Sequence, residues 1–148
     1  MNSLFALTDA IKNELDSNVL LNSVTYGDVD EIELLKSNRY PLAHVGISTG
    51  TISDATSEIN LSVIFIQQVD DVKEQEDSFN DSELYAQNNM LSAATRLVQV
   101  LKRGDLYQQG FQLNEDATVE FFGDRFTDRV AGVTVDMTVT IKNQASIC

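Results

Sequence analysis

The residues of this sequence that could do chemistry start with Gly46-Ile47-Ser48-Thr49-Gly50, which spells the G-x-S-x-G nucleophile elbow. An elbow works because a strand turns sharply into a helix, lifting the serine above a parallel sheet, with its histidine later in the chain. Here the residues from Thr51 to Val63 are mostly polar and lead into another strand, and the only histidine, His44, precedes the serine. The spacing therefore predicts a glycine-bounded hairpin turn, and no residue is assigned a catalytic role. Asp28-x-Asp30 opens like a calcium loop. Its fifth position is Ile32, its sixth Glu33 and its twelfth Arg39, where the loop needs glycine at the sixth and glutamate at the twelfth. One histidine without a nearby cysteine makes no zinc site. His44 is expected to face away from Ala43, Val45 and Ile47 and to bond at the surface or between subunits. No glycine-rich phosphate loop with its lysine occurs, so neither metal nor cofactor is expected.

Carboxylates are abundant, in two tracts. One runs from Asp70 to Asp81 and includes Asp70, Asp71, Glu74, Glu76 and Asp77; the other carries Glu31 and Glu33. General acid–base work usually needs burial or a raised pKa, which a charge-dense surface loop does not supply. These seven residues are candidates for a channel wall or a docking surface. Arg125 and Arg129, in Gly123-Asp124-Arg125-Phe126-Thr127-Asp128-Arg129, are expected to pair with neighbouring aspartates or with another subunit.

The whole chain has 148 residues, 43% of them hydrophobic, which suits a single domain over 1–148 with a sizeable core. Ten basic against 23 acidic residues give a formal charge of -13, which disfavours a reader of DNA grooves or an anionic membrane surface. The only cysteine is Cys148, so no internal disulfide is expected. No apolar run exceeds the four residues of Val63 to Ile66, far short of a membrane span, and no signal-peptide pattern is expected.

The elements that must position these residues follow from periodicity. Leu4, Leu7, Ile11 and Leu15 share a helical face over Ser3 to Asp16. Val19 to Tyr26 reads as a strand, and Gly27 to Asn38 as an acidic loop. Pro41 fits a strand start, with Leu42 to Ser48 alternating after it. A polar connection from Thr49 to Ser57 leads to a strand carrying Ile59, Leu61, Val63 and Phe65 on one face. Ser82 to Gly104 is the longest helix, with Ser82 as N-cap, Lys102 and Arg103 in the last turn, and Gly104 suited to a left-handed stop. Its residues Leu91, Ala94, Val98 and Leu101 are expected on the sheet. Tyr107 to Leu113 and Thr118 to Phe122 are shorter strands. Val133, Val135, Met137, Val139 and Ile141 alternate with polar residues in the clearest one. Grouped strands predict an α+β fold: a mixed, mostly antiparallel sheet with an N-terminal helix and a long central helix on one face.

This plan resembles the tail-terminator and tail-completion proteins of long-tailed bacteriophages. The likeness is carried by the helix from Leu4 to Leu15, by Arg39-Tyr40-Pro41-Leu42-Ala43-His44-Val45 entering a strand, and by a long helix after an acidic loop. It extends to the C-terminal part from Phe126 to Ile141. The resemblance implies a virion protein assembled in the host cytoplasm, with no active site. It also implies a hexameric ring joining tail tube to head-side neck, with DNA passing through unbound. A head–tail connector ring and a tail-tube subunit share the same plan. Outside that class stand a non-viral acidic adaptor or scaffold, and a small hydrolase using Ser48.

Overall fold

The strictly alternating strand near the C-terminus lies inside the sheet and organises it. In the computed structural model, which describes residues 4–27, 40–68, 82–104, 106, 110–114, 116–123 and 130–142, the order is as follows. Helix α1 (Leu4–Asp16) precedes β1 (Ser23–Tyr26), β2 (Leu42–Ile52) and β3 (Thr56–Gln68). Helix α2 (Ser82–Arg103) follows, then β4 (Gln112–Leu113), β5 (Thr118–Gly123) and β6 (Val130–Lys142). The fold is α+β, as its grouped strands imply. The six strands run β1-β2-β3-β6, with β4 and β5 both on the outer side of β6. All pairings are antiparallel except that of β1 with β2. Strands β3 and β6 pair along their whole length, from Thr56 opposite Lys142 to Gln68 opposite Val130.

Cross-strand partners share a face, so this register sorts the side chains. Ala43 and Val45, then Leu61, Val63 and Phe65, then Val133, Val135, Met137, Val139 and Ile141 form the main core with both helices. Helix α1 contributes Leu7, Ile11 and Leu15, and α2 contributes Met90, Ala93, Ala94, Leu97 and Leu101. The buried stripe of α2 is rotated from the one its sequence suggests. Ala94 and Leu101 lie in it, but Leu91 and Val98 are only partly buried on its flank. Small Ala86 and Ala93 are fully buried on this stripe, Ala86 against Ala131 of the sheet. Arg96 on α2 bonds Glu14 on α1 at 3.0 Å, fastening the two helices together. The opposite sheet face is apolar at one end, where Leu42, Ile64, Ile66 and Val130 cluster with Tyr40 and Phe122.

Several local expectations are corrected. The hairpin between β2 and β3 turns later than its glycines suggest, where Ser53 N–H donates to the Thr56 carbonyl at 2.9 Å. Strand β1 is shorter than its apolar run, because Asn18 to Leu21 form a turn. Gly104 ends α2 through space and not through a left-handed backbone, since the positive-φ glycines are Gly27 and Gly110. A Cβ on Gly104 would lie 2.7 Å from the Val100 Cα. Gly132 is held by a similar constraint, for a Cβ there would collide with the Phe65 carbonyl.

Candidate functional site

The G-x-S-x-G residues sit in the middle of a strand. Ile47 pairs with Leu61 and Gly50 with Ile59, so Ser48 and Thr49 together oppose Asn60. Two residues against one make a β-bulge. Asn60 answers both bulged residues: its carbonyl accepts from Ser48 Oγ at 3.3 Å, and its side-chain amide donates to Thr49 Oγ1 at 2.7 Å. Thr138 on β6 extends this chain by donating to Asn60 Oδ1 at 2.6 Å. The motif serves the bend of a long hairpin, in place of the sharp strand-to-helix turn that an elbow requires.

His44 faces away from Ala43 and Val45, as alternation requires, but it is not a surface residue. It is 1% exposed, lies opposite Thr25 of β1, and uses both ring nitrogens inside the molecule. The parallel edge strand covers it, a pairing that local periodicity does not announce. Among the described residues, no group of three or more His, Cys, Asp or Glu could hold a metal ion. No described helix is long and apolar enough to cross a membrane.

The structure assembles a cleft that the sequence did not single out. It has a volume of about 470 Å³ and lies between the α1–β1 turn, the start of β2, the end of β3 and the first half of α2. Val19, Leu20, Tyr40 and Pro41 form its apolar walls, and Gln67, Gln68 and Asn89 supply carboxamides. The turn is built by Asn18, a buried polar residue whose Oδ1 accepts from the Leu20 N–H at 2.9 Å. The Asn18 carbonyl accepts from the Leu21 N–H at 3.1 Å, closing the turn. The Pro41 carbonyl then accepts from the N–H groups of Asn22 at 2.7 Å and Ser23 at 3.3 Å, stitching one wall to the other. On the floor, Asn89 Nδ2 donates to Gln67 Oε1 at 3.3 Å, tying α2 to β3. The available sequence signal was an asparagine directly after a helix followed by Val19-Leu20-Leu21, a pattern that local side-chain bonding converts from strand to turn.

The outermost described strands are also distinctive. On β5, Thr118 to Phe121 are all exposed, with Phe121 at 51%. On β1, Tyr26 is 60% exposed. Register places Phe121 opposite Val133 and Tyr26 opposite Val45, so both aromatic side chains belong to the helix-bearing side of the sheet. The seven acidic candidates, Glu31, Glu33, Asp70, Asp71, Glu74, Glu76 and Asp77, lie outside the described residues, as do Arg125 and Arg129. No protein-family model and no curated protein sequence matches the chain.

Proposed function

We propose that this protein is a structural subunit of a bacteriophage tail: a homo-oligomeric ring that caps the tail tube and joins it to the head-side neck. The observation that supports the ring is the matched pair of strands that are outermost among the described residues. Strand β1 is parallel to β2, and each later step across the sheet to β5 is antiparallel, so β1 and β5 run in opposite directions. A neighbour in the same orientation therefore brings its β1 antiparallel to β5, setting its Tyr26 on the same face as Val119 and Phe121. Exposed edge strands with apolar side chains favour added strands. Because the two edges differ, the contact is heterologous and propagates from copy to copy until a rotation closes it. The resemblance suggests the phage context and the number six, and the strand directions support this mode of contact.

In this reading the virion protein carries no cofactor and contacts the tail tube and the neck or connector proteins. The acidic residues at 31, 33, 70, 71, 74, 76 and 77 either line the channel or dock a basic neighbour. A negatively lined channel lets duplex DNA pass without the salt-dependent attraction that phosphate contacts create. Electron microscopy of the purified protein, alone and with tail tubes, tests the proposal. Closed rings seated on tube ends support it, and a single copy or an open chain at the tube end overturns it.

A further inference from the structure

We infer that the tip of the β2–β3 hairpin is a two-register element, and that the Asn60 side chain selects the bulged register seen in the structure. The inference stands apart from the ring, whose contacts lie on β1 and β5. Burial does not choose between registers at the tip. Ser48 to Ile52 are all exposed, with Ile52 at 85%. Register is strongly specified where one strand face is buried, and weakly where the strand is exposed and carries glycine.

The alternative register follows from removing the bulge. Ser48 alone then opposes Asn60, Thr49 opposes Ile59 and Thr51 opposes Ser57, in place of the observed Gly50–Ile59 and Ile52–Ser57 pairs. The connecting loop grows from Asp54-Ala55 to Ser53-Asp54-Ala55, and hairpin loops of two and three residues are both common. The slip turns the tip over. Ser57 pairs with Ile141 of the main core, so Ile52 projects on the helix-bearing side in the bulged register and on the opposite side after the slip. Leu42 to Ile47 keep their partners, so the switch is confined to the tip.

What favours the observed register is a side-chain bond that exists only there. Asn60 Nδ2 donates to Thr49 Oγ1 at 2.7 Å, while Asn60 Oδ1 accepts from Thr138 Oγ1 at 2.6 Å. The second bond anchors the carboxamide to β6 and aims its N–H at the bulge. In the slipped register Thr49 stands opposite Ile59, on the other face of the sheet and out of reach of Asn60. Gly50 permits the bulged pairing, since a Cβ there would lie 3.1 Å from the Glu58 carbonyl oxygen.

The test is NOE spectroscopy of the full chain. The Ser53 N–H bond to Thr56 marks that pair as hydrogen-bonded. Counting back, Ile52–Ser57 and Gly50–Ile59 are non-hydrogen-bonded pairs, whose Cα atoms approach to about 4.5 Å. The wild type should show Hα–Hα contacts for these two pairs. Asn60→Val keeps a strand-favouring residue and removes the carboxamide. It should show Thr49–Ile59 and Thr51–Ser57 contacts instead, in about a tenth of the molecules or more. Thr49→Val, at an exposed position, breaks the same bond from its other end and should do likewise. Asn60→Asp keeps an acceptor for both hydroxyls and should retain the wild-type contacts. Wild-type contacts alone in either valine variant, or slipped contacts in Asn60→Asp equal to those of Asn60→Val, would overturn the inference.

Discussion

His44 Nε2 lies 2.8 Å from the Gly27 carbonyl oxygen, joining the end of β1 to a histidine buried in β2. A carbonyl only accepts, so Nε2 carries the proton, and Nδ1 accepts from the Thr25 hydroxyl at 2.6 Å. One ring thus fastens a four-residue edge strand to the sheet at two points.

Replacing His44 with leucine keeps the apolar bulk and removes both bonds. The Gly27 carbonyl and the Thr25 hydroxyl then lose their partner, which should destabilise the fold by about 1–3 kcal/mol in urea unfolding. Hydrogen exchange should quicken first at Val24 to Tyr26. Unchanged stability together with unchanged β1 protection would show that the ring does not hold the strand.

Helix α2 yields a second test, because its two candidate leucines differ in burial. Leu101 lies in the main core, whereas Leu91 is on the flank. Leu101→Ala should cost about 2–5 kcal/mol, and Leu91→Ala about half of that or less. Equal effects in thermal unfolding would contradict the observed face of the helix.

The alternation of Val133 to Ile141 and the long amphipathic pattern of Ser82 to Gly104 were enough to anticipate the sheet, the helix and their contact. Both patterns persist over many residues, so tertiary packing reinforces what each residue prefers locally. Elsewhere a pairing between distant segments decides the local structure. The position of Asn60 makes Gly46 to Gly50 a bulge, the pairing with β1 buries His44, and an asparagine side chain turns Val19–Leu21 out of the strand. The cleft was invisible for the same reason, since its walls come from four separate elements.

The end of α2 supplies a pH test. Lys102 Nζ lies 2.5 Å from Asp116 Oδ1, and its hydrogen bond and charge hold the Asp116 carboxyl below its ordinary value. A lowered folded-state pKa stabilises the protein above the unfolded value and loses that contribution as pH falls through the folded one. The window is therefore acidic, at and below the ordinary aspartate pKa of 3.8. In an NMR titration of the carboxyl carbon, Lys102→Met should move the Asp116 midpoint upward. A midpoint that stays in place would show that the ion pair does not form in solution.

Charge reversal separates the two roles open to the acidic tract. Lysine at Asp70, Asp71, Glu74, Glu76 and Asp77 should leave the thermal transition intact, because Val72 is the only apolar residue between Asp70 and Asp77 and substitutions away from apolar packing cost little. If the tract lines a channel, DNA ejection from reconstituted particles slows. If it docks a neighbour, heads fail to attach to tails while ejection from intact particles is unchanged. Wild-type behaviour in both assays would remove the tract from either role.

The central claim, that copies join through β5 and β1, is tested most directly by electron microscopy of the Phe121→Lys variant beside the wild type on tail tubes. Phe121 is exposed, so the substitution should spare the monomer fold. Closed rings at tube ends are expected for the wild type and bare tube ends for the variant. Intact rings built from Phe121→Lys subunits, or wild-type particles carrying a single copy, would contradict it.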